Sequence, residues 1–504
     1  MGGMDGDTGG DTGGGTDRGH VSLNSATGRW VVFTTVLGSG MAMLDGTVVN
    51  VALPRLGADL GADMAGLQWT VNAYTLTLAG LILLGGSLGD RYGRRKVFLI
   101  GVAWFAAASA LCGLAPSIEV LVAARALQGV GGALLTPGSL AIIQASFARA
   151  DRPRAVGAWS GLGGVAAAVG PLLGGWLVES AGWRAVFWIN LPLAALVILT
   201  AARHVPESRD TAATGRFDVL GAAVAALALA GLTYGLIETG RALVAAGAGL
   251  ALGAWFAVLQ VRRSRPGSGV AALVPVEMFR SRVFTAVNTV TLIMYAAMGV
   301  VFFLLVLQLQ VAAGFAPIAA GSALLPVTLL MLALSAPAGA LAGRIGPRAP
   351  MTAGIALAAA GFVVLSRVGP GASYVADVLP GVVLFGLGIS AAVAPLTATV
   401  LASVADRHAG VASGVNNAVA RAGGLLAVAA VPPLAGLTGT AYASPYVFTA
   451  GYHRAMLVCA ALMAVAALVA FRTVRGDILG APRKRPEPRP HCGVNAPPLE
   501  PPGT

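Results

Sequence analysis

The sequence predicts an all-α, polytopic membrane protein with fourteen spans, and three observations carry that prediction. Of 504 residues, 56% are hydrophobic and only 11% are charged, whereas soluble domains are about one-quarter charged. Apolar runs long enough to cross a hydrocarbon core of roughly 30 Å as helices recur at 31–53, 68–88, 97–115, 118–142, 155–178, 185–202, 219–237, 243–261, 284–307, 317–341, 351–368, 377–401, 411–435 and 453–471. Basic residues gather in alternate connections between these runs. With the N-terminus inside, 26 of the 33 Lys and Arg residues fall in cytoplasmic segments. Five face outside (Arg55, Arg184, Arg241, Arg367, Arg454), and two lie within helices (Arg125, Arg421). Cations beside helix ends resist translocation, so the bias predicts a multi-pass protein of the cell membrane with both termini cytoplasmic. It also accounts for the net charge of +12 without a nucleic-acid partner.

In chain order, residues 1–28 are rich in Gly, Asp and Thr and lack the basic start and apolar core of a cleaved signal peptide. They are expected to form a disordered cytoplasmic tail, as are the Pro- and Arg-rich residues 476–504. Between the tails, 29–205 and 284–475 are expected to be six-helix bundles, with 206–283 a linker holding two extra helices. An internal repeat supports this division. Gly339, Leu341, Arg344, Gly346 and Arg348 follow Gly86, Leu88, Arg91, Gly93 and Arg95 by 253 residues, again in a cytoplasmic helix–helix connection. The copies are eight helices apart, as a duplicated six-helix unit with an inserted pair requires. The second copy has Gly343 where the first has Asp90.

The cysteines, Cys112, Cys459 and Cys492, are scattered and have no CxxC or His pairing. No disulfide framework, metal site or cofactor is expected. A nucleotide-binding G-x-x-x-x-G-K-[ST] segment, an HExxH helix and a membrane Ser/His/Asp set are all missing, so an enzyme is disfavoured.

The stretch Gly86–Lys96 reads GSLGDRYGRRK and ends the second apolar run with four cations in six residues. Gly86, Gly89 and Gly93 leave bare backbone for close helix approach and a tight turn. Asp90 is placed to accept hydrogen bonds from a neighbouring helix N-terminus. Gly86, Leu88, Asp90, Arg91, Gly93, Arg94, Arg95 and Lys96 together resemble motif A of the major facilitator superfamily. The resemblance implies that fold: two six-helix bundles plus two extra helices, with motif A as a gating element.

The first helix ends in LDGTVVNVALP, residues 44–54, which resembles motif D1 of the fourteen-helix drug:proton antiporters in that family. Asp45 is the one acid well inside an apolar run. Intramembrane ionisable groups are costly and usually face a partner or a wet cavity. The fourth helix carries Arg125-Ala126-Leu127-Gln128-Gly129, similar to motif B, whose buried arginine the family associates with proton transfer. At 1.5 Å rise per residue, Asp45 and Arg125 lie roughly 13 Å and 10 Å from the outer ends of their helices, so they can meet at one level. Pairing favours the carboxylate, and losing the pair in a dry site favours the neutral acid, which is the toggle that proton coupling needs. A static pair that only orients two helices is the rival reading.

Gly170-Pro171 and Gly174-Gly175 on the fifth helix resemble motif C, the antiporter motif of exporters. Small residues permit close packing, and Pro171 frees a carbonyl and permits a bend. Asn50, Asn72, Tyr74, Gln128, Asn190, Asn417 and Arg421 are the candidate polar residues of a substrate cavity, while Glu238 and Asp377 sit at outer helix ends as solvated rim. The whole resemblance implies a proton-coupled, monomeric exporter of small organic molecules. An importer or exchanger of metabolites with the same fold is the alternative. Nothing in the sequence selects one compound.

Overall fold

Fourteen helices long and apolar enough to cross a membrane make up the computed structural model, which describes residues 21–148, 151–209, 218–238, 242–265, 270, 272–404 and 409–479. We number them α1 (Ala26–Leu60), α2 (Met64–Tyr92), α3 (Arg94–Leu114), α4 (Ile118–Ser146), α5 (Arg154–Ser180), α6 (Ala185–His204), α7 (Val219–Ile237), α8 (Leu243–Arg263), α9 (Arg282–Val311), α10 (Pro317–Ile345), α11 (Arg348–Leu365), α12 (Tyr374–Ala402), α13 (Gly410–Leu434) and α14 (Pro445–Thr473). Each of the fourteen expected runs lies within or largely overlaps one helix. The boundaries differ where caps rather than hydropathy set them. Ser25 caps α1 through a 3.0 Å bond accepted from the Gly28 N–H, and α1 runs through Pro54 to a left-handed Gly61. A proline inside a helix removes one donor and bends the axis without obliging the helix to stop, which is why the expected end near residue 53 was too early.

Residues 1–20 and 480–504 lie outside the described residues, as do most of the two expected tails. Residues 21–28, expected to belong to a disordered tail, are instead pinned. The Val21 N–H donates to the Ser146 carbonyl at 2.8 Å, and the Leu23 N–H donates to Asp151 at 3.1 Å.

The helix pairings of the first bundle recur eight helices later. In the first, α1 packs on α5 and α6, α4 on α2 and α3, and α3 on α6. In the second, α9 packs on α13 and α14, α12 on α10 and α11, and α11 on α14. The inserted helix α7 lies at the seam against α2 and α13, and α8 packs on α7. The start of α7 and the end of α8 are latched by Asp218, which accepts from Gln260 at 2.8 Å and pairs with Arg263. Among its apolar residues, α8 exposes Leu243, Val244, Leu250 and Trp255, the composition of a lipid-facing helix.

The repeat is also visible in the backbone. Gly93 and Gly346, equivalent in the two copies, both adopt positive φ, 113° and 85°. These are turns that side chains with a Cβ resist. A Cβ at Gly93 also meets Glu207 Oε1 at 2.8 Å, while one at Gly343 meets nothing within 4 Å. Gly93→Ala is therefore expected to lower the thermal midpoint of the detergent-purified protein, by about 1–3 kcal/mol of stability. Gly343→Ala should leave the midpoint unchanged.

Hydrogen bonds close the seam between the bundles at the end away from the 90–96 turn. Gln68 of α2 donates to the carbonyls of Val428 at 2.6 Å and Ala429 at 3.2 Å on α13. Gln310 of α9 donates to the Val51 carbonyl of α1 at 3.0 Å. The Met64 N–H donates to the Gly439 carbonyl at 2.8 Å, and the Tyr442 hydroxyl donates to Ala62.

Candidate functional site

The first bundle encloses a polar cluster that its helices bury. Asp45 on α1 and Arg125 on α4 are 0% and 1% exposed. Arg125 Nη1 contacts Asp45 Oδ2 at 2.5 Å, and the same nitrogen donates to Gln128 Oε1 at 2.5 Å. Its Nε donates to the Thr70 carbonyl of α2 at 3.0 Å. The other carboxylate oxygen, Asp45 Oδ1, accepts from Gln128 Nε2 at 2.8 Å and from Asn190 Nδ2 at 3.1 Å. Ser109 of α3 accepts from both amides, at 2.6 Å and 3.2 Å. Five helices thus converge on one ion pair. A buried pair of this kind is tolerated only when its remaining donors and acceptors are also satisfied. One atom is not: the side-chain oxygen of Asn190 has no partner.

Helix geometry explains the convergence. Arg125 and Gln128 are three residues apart and share a face of α4, so one helix offers both a cation and a neutral amide to α1. The common depth inferred for Asp45 and Arg125 from the lengths of α1 and α4 matches this direct contact.

Beside the cluster, a cavity of about 380 Å³ lies between the bundles, lined from α1, α2, α4, α9 and α13. Tyr74 is the wall between the two. Its ring faces the Arg125 guanidinium at 4.5 Å, its hydroxyl donates to the Ala42 carbonyl at 3.3 Å, and it also lines the cavity. Asp45 lies outside the lining, but the next two residues of α1, Gly46 and Thr47, are part of it.

Of the polar candidates read from the sequence, Asn50, Asn72, Tyr74 and Arg421 line the cavity. Gln128 and Asn190 do not. They belong to the Asp45 cluster, because their amides are drawn to the buried charge. Asn417 is outside the lining too, and its side-chain oxygen accepts from Arg421 Nε at 3.1 Å. Ser109, Thr136, Tyr295, Phe302 and Phe303 escaped sequence reasoning. A lone serine or phenylalanine in an apolar helix has no local signature.

The 86–96 stretch departs from expectation in one respect. Asp90 pairs with Arg94 one turn on, at 2.8 Å, within its own motif. The N–H groups opening α3 are capped by Glu207, which accepts from Arg95 N and Lys96 N, each at 3.1 Å. A carboxylate there complements the positive end of the helix, as expected, but it comes from the segment after α6. Arg91 and Arg95 sit beside Asp90 in the same turn, and Arg95 Nη1 donates to the Val205 carbonyl at 3.0 Å. Gly86 packs toward Pro137 of α4.

On α5, a Cβ at Gly174 would come within 2.9 Å of Val48 on α1, and Gly175 abuts the start of α10 at Pro317 and Ile318. Gly170 abuts Thr47, and the Pro171 carbonyl abuts Gly321 of α10. The four motif-C positions are therefore where α5 touches both α1 and the opposite bundle. Glu238 accepts from the Trp69 indole at 3.0 Å, and Asp377 accepts from the Ser373 N–H at 2.7 Å. Neither acid reaches the cavity lining. Among the described residues, no cluster of three or more His, Cys, Asp or Glu suited to a metal is found.

Two pseudo-equivalent helix bundles around a cavity, with a charged cluster buried in one of them, define a membrane transporter rather than an enzyme. The sequence profile of the Major Facilitator Superfamily matches residues 35–428, and the chain belongs to that superfamily. It is 36% identical over 400 residues to the multidrug resistance protein Stp of Mycobacterium tuberculosis (strain CDC 1551 / Oshkosh), covering 77% of this chain and 72% of that one. It is 35% identical over 423 residues to a probable actinorhodin transporter of Streptomyces coelicolor, covering 81% and 72%. Among solved structures, a POT family transporter in complex with 5-aminolevulinic acid superposes with a TM-score of 0.68 at 13% identity, over 89% and 97% of the two chains. That likeness shows the fold.

Proposed function

We propose that the chain exports small organic compounds across the cell membrane in exchange for protons, acting as a monomer, with both termini cytoplasmic. The observation that carries the coupling is the fully enclosed Asp45–Arg125 pair behind the cavity wall. Its relatives, a multidrug resistance protein and a probable actinorhodin transporter, support the direction.

The chemistry follows from the cluster. As a carboxylate, Asp45 is held by three donors, from Arg125, Gln128 and Asn190. As a neutral acid it carries one O–H, and the partnerless oxygen of Asn190 gives it an acceptor once that amide turns over. The Asp45 carboxyl itself thus has a partner in the cluster in either protonation state. Protonation also releases Arg125 from its counterion, and the guanidinium then bears on Tyr74, the cavity wall. Substrate and proton thus act on the same ring and the same turn of α1 from opposite sides. Motif C supplies the close α1–α5–α10 contact on which the bundles rock, and the 86–96 turn latches the other end.

Everted membrane vesicles test the export direction. An exporter accumulates substrate when the lumen is made acidic, and accumulation driven instead by an alkaline lumen identifies an importer. Orientation has its own test. Cysteines placed at Arg94 and Ala441 are expected to differ in intact cells, with an impermeant maleimide labelling only position 441. Labelling at 94 and not at 441 inverts the topology.

A further inference from the structure

We propose that the central cavity takes organic anions, molecules with an apolar body that carry a carboxylate. This inference names a substrate class for the export reading and rests on it.

Arg421 is the one charged residue in the lining, and no Asp or Glu is present there. It forms no ion pair among the described residues, and its described side-chain partner is the neutral amide of Asn417. Asn72, also in the lining, is 1% exposed, yet neither its amide nitrogen nor its oxygen has a partner. The side-chain oxygens of Asn50 and Thr136, which also line the cavity, are partnerless as well. Buried polar atoms normally find partners, so several unsatisfied ones on residues that line one cavity mark a place where a ligand can supply them.

The donors present decide the ligand's chemistry. A guanidinium and an amide N–H in the lining of one cavity that has no acid in it suit a carboxylate, whose two oxygens are acceptors only. An ammonium group meets a like charge there and has no counterion. The rest of the wall is apolar and aromatic, including Tyr74, Tyr295, Met298, Phe302 and Phe303, which suits a flat hydrocarbon body. The Asp45 cluster is sealed behind Tyr74 and is already satisfied by Arg125, so it offers the cavity no compensating negative charge.

The charge of the cargo also fixes the driving force. Exchange of one monoanion outward for one proton inward moves two positive charges inward. A membrane potential that is negative inside then drives export even without a pH difference, whereas one-for-one exchange of a monocation is blind to it.

Dansylglycine, dansylglycinamide and the dansyl derivative of ethylenediamine share one fluorophore and differ in charge. Binding of each to the purified protein in nanodiscs is followed by dansyl emission. Dansylglycine is expected to bind at least roughly tenfold tighter than the amide or the cation, the worth of one charge-assisted contact. Arg421→Gln should remove that preference and Arg421→Lys should retain most of it. Asn72→Ala should weaken dansylglycine alone with no loss of thermal stability, which a packing residue would not allow. Equal binding of the three probes, tighter binding of the cation, or no binding of dansylglycine at millimolar concentration overturns the anion assignment. In everted vesicles the two readings separate. Acid-driven accumulation of the cation but not the anion leaves export standing and removes this inference, while accumulation of neither removes export.

Discussion

Asp45→Asn is expected to abolish uphill transport while leaving passive exchange intact. The variant keeps the shape of the side chain and its bonds to Gln128 and Asn190, but cannot titrate. For exchange against one proton with the membrane potential clamped at zero, a pH difference of one unit supports about a tenfold substrate gradient, whatever the substrate's charge. Wild-type proteoliposomes should approach that ratio, and Asp45→Asn should stay at one. Counterflow of labelled against unlabelled substrate, which needs no net proton movement, should continue at a comparable rate. Loss of counterflow as well would mean that Asp45 shapes the cavity rather than coupling it.

Arg125→Gln is expected to be far more damaging to the fold than the change at Asp45. It leaves a carboxylate at 0% exposure with only neutral amides around it, and removing one partner of a buried pair typically costs about 3–5 kcal/mol. The Arg125 guanidinium also packs between the Tyr74 and Phe187 rings, at 4.5 Å and 5.8 Å, so the substitution unseats the wall of the cavity. The double variant Asp45→Asn with Arg125→Gln removes both charges and should recover much of the expression level and thermal midpoint, with transport still absent. If the double variant is no better than Arg125→Gln alone, the damage comes from lost packing and not from the uncompensated acid.

What was legible in the sequence follows from what each signal depends on. Span number and length come from hydropathy, a one-dimensional property, and every expected run met a helix. The Asp45–Arg125 contact was legible because helices in a bilayer run roughly parallel, so depth can be counted in residues. Azimuth cannot be counted that way. Gln128 and Asn190 were read as cavity residues because nothing local distinguishes the face toward a buried acid from the face toward a cavity. Glu207 capping α3 and Gln68 stapling α2 to α13 depend on contacts 111 and 360 residues away along the chain, beyond the reach of any local pattern. The apolar run stops at Leu53, before Pro54 and Arg55, yet a buried α1 continues when its neighbours hold it.

In the proposed exchange Asp45 loses its proton when substrate enters the cavity, and that proton can be counted. Purified protein in a weakly buffered solution with a pH indicator dye is mixed with saturating substrate. The wild type is expected to release about one proton per molecule of bound substrate, and Asp45→Asn none despite binding the same substrate. Equal proton release from Asp45→Asn and wild type would contradict a coupling role for Asp45 and place the coupling group elsewhere.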